Sequence, residues 1–343
     1  MSVPRGVADP MAAPGLRWGI LAPGGIANKF AEAVAGFTAG EVVAVASRDA
    51  GRARLFAERH GIPRAYAGYE QLGADDAVDA VYVASPHSEH RDHAVAMARA
   101  GKHLLIEKAL ARNATEVEEI FEAASGAGVF AMEAMWTRHL PHIAAVHAWL
   151  SDGRIGQIVA VAADHGQSLD VGPEHRLKAA HLAGGALLDL GVYPVAFLVD
   201  VLGAPSGVHA SGHRTETGVD ASVALTLDYP DPVVAQASCT LKAKTPTTAV
   251  ICGTGGRIEI DGDFYGPSRA RLLGPGKDAT VIEVVDGRVA NGFQFQIAEV
   301  GRCVADGRAQ SERMPWDDSR TVIRILDEAR RQVGVRYPGE PSA

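Results

Sequence analysis

The chain has 343 residues, 47% of them hydrophobic, enough for two domains with separate cores. A net charge of −8 argues against a nucleic-acid surface, which would show clustered Lys and Arg. The three cysteines have neither metal-ligand spacing nor disulfide density, which suits a reducing, cytoplasmic setting, and no apolar run approaches the ~18 residues of a membrane span.

Residues 1–15, MSVPRGVADPMAAPG, have no apolar leader and no twin arginine, so they are expected to form a flexible tail. From Leu16 to Trp136 short apolar runs alternate with helical patterns. The runs are 16–22, 41–47, 80–86, 103–109 and 129–136; the helical segments lie near 26–38, 49–60, 88–100 and 113–125. Gly61, Gly101 and Gly128 are placed to end three of those helices. The runs are apolar throughout, as in strands covered on both faces. The alternation predicts an α/β fold, with a doubly wound parallel sheet (a Rossmann domain) over 16–138.

After Pro141 a helix is expected near 142–151 and an apolar helix over 187–203. Runs rich in Val, Thr and Ala then follow, punctuated by YPDP, GTGG and DGDFYGPS. In DASVALTLDY (220–229), Val223, Leu225 and Leu227 alternate with Ser222, Thr226 and Asp228. Residues 139–343 therefore read as an α+β domain with a large, open, mostly antiparallel sheet and a last amphipathic helix over 319–333.

The first run leads into GILAPGGIANKF. A dinucleotide-binding loop, G-x-G-x-x-G/A between a strand and a helix, aligns with Ala22, Gly24 and Ala27. Gly24 and Gly25 let backbone approach a pyrophosphate, and a helix opening near Ile26 would direct free N–H groups at it. Alanine in place of the first glycine fits if φ at Ala22 is negative. About 20 residues on, the second run ends in Ser47 and Arg48, with Arg52 one turn later. A hydroxyl and guanidinium groups suit a 2′-phosphate, so NADP is expected over NAD. Asp49 reads as a helix cap. His87, His90 and His93 recur every third residue. This spacing drifts round a helix without carboxylate support, so no metal is expected there.

The stretches WGILAPGGIA, ASRD, ASPHSEH, LLIEKAL, MEAMWTRHLP and GGALLDLGVYP, in this order, resemble the Gfo/Idh/MocA oxidoreductases over nearly the whole chain. AMWTR and the tyrosine of DLGVY are most similar to the branch holding the dimeric dihydrodiol dehydrogenases, the NADP-dependent D-xylose dehydrogenases and glucose–fructose oxidoreductase. The resemblance implies that Glu107, Lys108 and Ala109 form the family's E-K-P motif. Its lysine would sit beside the nicotinamide and the reacting carbon, and its glutamate near the nicotinamide ribose. It implies that Gly184, Gly185, Asp189, Gly191 and Tyr193 form the second motif, on a helix lining the cleft between the domains. Ser85, Pro86, His87 and His90 would flank the cofactor.

Tyrosine ordinarily ionises near pH 10, so an acid–base Tyr193 needs a nearby cation, and Lys108 is the candidate. The reverse assignment is equally open; Asp189 would orient the substrate hydroxyl or the lysine. Trp136, Arg138 and Arg176 are candidate substrate contacts. The expected function is NADP-dependent hydride transfer between the cofactor and a secondary alcohol or ketone of a sugar, polyol or cyclic trans-diol. Oxidation of an aldose to a lactone and a non-catalytic NADP sensor are the rivals. An open sheet predicts a homodimer or larger assembly.

Overall fold

A computed structural model describes residues 7–340; residues 1–6 of the predicted tail lie outside the described residues. The chain forms two compact units. One holds Ala8–Trp136 with Asn291–Ser319, and the other holds Thr137–Ala290 with the chain from Arg320 onward.

The first unit is built on β1 (Arg17–Leu21), α1 (Gly25–Phe37), β2 (Glu41–Ser47), α2 (Ala50–His60), β3 (Arg64–Ala67), α3 (Glu70–Gly73), β4 (Ala80–Val83), α4 (His90–Arg99), β5 (His103–Ile106), α5 (Ala114–Ala127) and β6 (Ala131–Glu133). Its sheet is parallel, in the order β3-β2-β1-β4-β5-β6. This is the doubly wound order, whose direction reverses between β1 and β4 and opens a ligand crevice beyond their carboxyl ends. Strands β4 and β5 are buried almost throughout because helices cover both faces. Edge strand β3 alternates between half-buried and exposed residues, which is why it escapes a search for apolar runs. Gly61 and Gly128 end α2 and α5 in the left-handed conformation, as their positions predict.

Residues 9–13 of the predicted tail take up fixed structure. Asp9 caps a turn of 3-10 helix at Pro10–Ala12, and Ala13 is buried. The boundary at 138 also needs correction, because residues 291–319 return to the first unit. Two sets of contacts hold them there. Ala131, on the exposed edge of the sheet at β6, takes Ala309 as a backbone partner. The ring of Trp316 stacks on Phe121 at 4.7 Å and donates to the Ala131 carbonyl.

The second unit contains α6 (Pro141–Ser151), β7 (Ile158–Gly166), α7 (Val192–Leu202), β8 (Gly207–Arg214), β9 (Asp220–Asp228), β10 (Val234–Thr240), β11 (Ala249–Gly253), β12 (Gly256–Ile260), β13 (Arg269–Leu273) and β14 (Val281–Asp286). The later helices are α8 (Gln294–Ala305), in the first unit, and α9 (Trp316–Val333), which starts in the first and ends in the second. The eight strands run β14-β13-β12-β11-β7-β10-β9-β8, antiparallel except for β10 against β7. Val223, Leu225 and Leu227 are buried and their alternates are not, as the pattern predicts.

Residues Ala180–Leu202 are, contrary to the sequence reading, long and apolar enough to pass for a membrane span. Their most apolar 18-residue window is 89% buried, so this is the core helical stretch of the second unit. It is also not one regular helix: Leu187–Gly191 form a π-helical turn before α7.

Candidate active site

The phosphate loop has the expected strand–loop–helix context, with one difference. Ala22 adopts φ +65°, not the negative φ that suits alanine. The turn out of β1 needs the left-handed conformation that a first-position glycine supplies freely, and alanine takes it at a cost of about 1 kcal/mol. Ala22→Gly is therefore expected to raise the unfolding midpoint by about 1–2 °C, measurable by calorimetry. A lowered midpoint would contradict this assignment of strain.

Gly24, extended at φ −101°, precedes α1 without supplying a side-chain cap, so the first N–H groups of the helix are left for a ligand. A Cβ on Gly24 or Gly25 would meet nothing within 4 Å. Both therefore border open space, in a pocket of about 670 Å³ that Arg52 and Asp49 also line. Ile26 is 38% exposed at this helix start, and Ala27 is fully buried, as close helix–sheet packing needs. These features fit a dinucleotide pyrophosphate. Asp49 caps α2, accepting from the Arg52 N–H, as predicted. Ser47 is buried and accepts from the Asp49 N–H. Arg48 is largely exposed, 3.2 Å from Glu89. Of the two arginines, only Arg52 is among the residues lining the pocket with the glycines.

At the end of β5, Glu107 is buried and accepts from the Tyr82 hydroxyl and, at 3.2 Å, from the Lys108 N–H. Phe30 of α1 stacks on Tyr82 at 4.0 Å. The Lys108–Ala109 peptide is cis. Backbone contacts hold the turn that follows. His87 Nε2 lies 3.2 Å from the Lys108 carbonyl, and the Leu110 N–H donates to Glu133. His90 stands between two carbonyls, Nδ1 3.0 Å from Ala109 and Nε2 2.7 Å from Ser85. Burial pushes His90 down to about 4, although these carbonyls favour its charged form. It thus links the end of β4 to the Lys108 turn. The Ser85 hydroxyl contacts His93, and Pro86 leads the short 3-10 turn His87–Glu89. The three histidines serve separate hydrogen bonds. No metal-type cluster exists among the described residues.

Two of the predicted substrate residues are placed differently. Trp136 lies in a 3-10 turn beyond β6 and is only 5% exposed. Its face carries the Lys29 ammonium, 4.0 Å from the ring centroid, and Phe293 packs 4.9 Å away. Burial lowers the Lys29 pKa, and the charge of Glu107 opposes this. Arg138 is buried, 3.7 Å from Asp200, and donates to the Ala196 carbonyl. Both side chains are buried among protein partners in this structure. Sequence spacing could not show this, because Phe293 and Asp200 come from distant segments.

In the second unit, the π-turn places Asp189 so that its Oδ1 accepts from Arg176 Nη1 at 2.9 Å. Arg176 remains half-exposed, so these two predicted residues are brought together. Tyr193, 8% exposed, lies in a ring cluster that the sequence reading missed. Its ring is 4.7 Å from Tyr265 and 5.4 Å from His165, and His165 stacks on Tyr265 at 4.3 Å. Gln167 Nε2 lies 3.0 Å from His165 Nε2. Burial raises the Tyr265 pKa, helped by the charges of Asp263 and Asp189, with the Gln167 hydrogen bond opposing. Thr137 and His142 grip the carbonyls of Tyr265 and Phe264 and so fix the loop. The available signals were a histidine at the end of β7 and an aromatic pair inside DGDFYGPS.

A phosphate loop at a doubly wound switch point, followed by an α+β unit carrying an Asp–Arg pair and a tyrosine cluster, defines a dinucleotide-dependent oxidoreductase. Residues 16–135 match the oxidoreductase family model with the NAD-binding Rossmann fold, and residues 143–259 match the GFO/IDH/MocA C-terminal domain. The chain belongs to the Gfo/Idh/MocA oxidoreductase family. It is 39% identical over 332 residues to a trans-1,2-dihydrobenzene-1,2-diol dehydrogenase of Danio rerio, covering 94% of this chain and 98% of the relative. It is 34% identical over 330 residues to the human protein of that name, with the same coverage. Among solved structures, a 3-ketoreductase from Actinomadura kijaniata in complex with NADP is 28% identical, with TM-score 0.81 over 93% of this chain and 98% of that one. Levoglucosan dehydrogenase in complex with NADH shares the fold, with TM-score 0.83 at 19% identity over 93% and 97%.

Proposed function

We propose that this chain is an NADP-dependent oxidoreductase that interconverts a secondary alcohol and a ketone on a cyclic trans-diol, sugar or polyol. The observation that carries the reading is that Lys108, Asp189 and Tyr193 each sit in a fixed socket. The Lys108 turn is held at three backbone atoms, Asp189 is paired with Arg176, and Tyr193 is packed between rings. The dihydrodiol dehydrogenase relatives favour a diol, and the ketoreductase neighbour favours the same bond in a sugar.

The bound dinucleotide would supply the hydride acceptor or donor, with its pyrophosphate held at Gly24, Gly25 and the start of α1. In the oxidation direction Tyr193, as the phenolate that the Lys108 ammonium would stabilise, would take the hydroxyl proton while the carbinol carbon gives up hydride and becomes the ketone carbon, and would then release that proton to water; reduction would run the same steps in reverse. Asp189, oriented by Arg176, would hold the substrate hydroxyl. Arg52, which lines the pocket with Gly24 and Gly25, favours the 2′-phosphate of NADP.

The test is absorbance at the reduced-nicotinamide band, with NADP⁺ and then NAD⁺, against trans-diols, aldoses and inositols. A rise with NADP⁺ and a cyclic diol or polyol is expected. A lactone product from an aldose would support the anomeric alternative. Binding of NADP⁺ without turnover across the panel would favour a sensor.

We also propose a homodimer formed through the eight-stranded sheet, on which Val234, Val281, Ile282 and Val284 are exposed. Light scattering should give twice 35.9 kDa; a monodisperse monomer at micromolar concentration would refute it. The free Cys239, Cys252 and Cys303 favour a reducing, cytoplasmic setting.

A further inference from the structure

The stretch that carries Asp189 and Tyr193 begins without a cap of its own. Ala186 precedes the π-turn and supplies no side-chain acceptor. The chain reaches it through Ala183 at φ +56° and Gly185 at φ +128°. These orphan N–H groups are buried, so an acceptor has to come from elsewhere in the fold. It comes from 33 residues downstream. Asp220, the first residue of β9 and fully buried, accepts the Leu187 N–H on Oδ2 at 2.5 Å. Among the described residues its Oδ1 has no hydrogen-bond partner, and it lies 2.3 Å from where a Cβ on Gly185 would stand.

This contact gives the second glycine of the motif a physical reason: only glycine lets the carboxylate reach the helix start. Gly184 is excluded from larger residues by other atoms, since its Cβ would fall 2.7 Å from the Arg176 carbonyl and 2.8 Å from that of Leu177. Tyr337 closes the socket by donating its hydroxyl to the Gly184 carbonyl at 2.7 Å.

We propose that Asp220 is a positioning residue, which sets the axial placement of Asp189 and Tyr193 by anchoring the helix start against Gly185. The inference rests on the proposed roles of those two residues. Burial raises Asp220 to about 6, with the charge of Arg330 and several backbone hydrogen bonds opposing. The neighbouring Cys239 and Tyr337 are both raised by burial, then by the charge of Asp220. The Asp220 carboxyl faces the start of the helix through the Leu187 N–H, where a negative charge has most effect on the first turn. Asp189 is two residues beyond Leu187, and Tyr193 about one turn further.

The test is Asp220→Asn, which keeps an acceptor and the volume but removes the charge. Two readouts are made on the folded variant: steady-state kinetics, and the ¹³Cζ resonance of Tyr193 in tyrosine-labelled protein, assigned through Tyr193→Phe. We expect kcat to fall about tenfold, within the range that sub-ångström misplacement produces, while the affinity for NADP⁺ holds. We expect the Tyr193 resonance to move and that of Tyr66 in the nucleotide unit to stay.

A folded variant with wild-type kcat, or with an unmoved Tyr193 resonance, would overturn the proposal. If Asp220→Asn does not fold, Gly185→Ala perturbs the same contact from its other side and is read the same way. If neither variant folds, the role is structural and the proposal fails. If the wild-type enzyme turns over nothing in the panel, the functional reading fails alone, and the resonance still decides whether Asp220 positions Tyr193.

Discussion

Tyr193→Phe is expected to lower kcat by roughly 10²–10⁴-fold, the usual worth of a general acid–base group, with little change in stability. The substitution removes one oxygen and keeps the ring. The contacts to Tyr265 at 4.7 Å and His165 at 5.4 Å are made by the rings, so the packing that holds the site survives. Loss of the oxygen acts on proton transfer and leaves the binding of the dinucleotide to the other unit untouched. The expected pattern is a fall in kcat and kcat/KM together, with NADP⁺ affinity by fluorescence titration unchanged. A variant that keeps wild-type turnover on a substrate of the natural enzyme would remove Tyr193 from the chemistry.

Lys108→Ala is expected to have an effect of similar size for a different reason. The turn that bears this side chain is fixed through main-chain atoms. His87 holds the Lys108 carbonyl, His90 the Ala109 carbonyl, and Glu107 the Lys108 N–H. Truncating the side chain leaves those main-chain contacts in place and removes the ammonium with its aliphatic stem. Such a charge, fixed where negative charge develops, is commonly worth 10²–10³-fold in kcat. The double variant is the sharper measurement. If both groups act on one proton, Lys108→Ala with Tyr193→Phe should lose little more than the worse single variant. Fully multiplicative losses would show that the two work independently.

Much of the fold is legible in the sequence because its signals are local. Helices covering both faces of β4 and β5 require runs that are apolar throughout, and a solvated second face in β9 requires alternation. Glycines at 61 and 128 mark helix ends through a backbone conformation that other residues avoid. The pair Glu107–Lys108 stood out because two charges directly after a buried strand demand partners. The structure provides them for Glu107 in Tyr82 and the Lys108 N–H. Where the reading went astray, the deciding neighbour was far away. Ala22 suggested a negative φ by its identity, but the turn from β1 imposes +65°. Arg138 read as an available donor until Asp200 and Ala196 met it inside the second unit.

The sequence by itself determined the two-part architecture, the dinucleotide loop and the family, whose motifs fall on Lys108, Asp189 and Tyr193 by resemblance. Each depends on residue type at short spacing, and short spacing survives without three-dimensional information. Only the tertiary structure decided the surroundings of those residues. These are the rings of His165 and Tyr265 around Tyr193, the Lys29 cation on Trp136, the return of residues 291–319 to the first unit, and the Asp220 carboxylate at Gly185. The physical reason is common to all four. A buried polar or aromatic group must find a partner, and close packing can bring that partner from any distance along the chain.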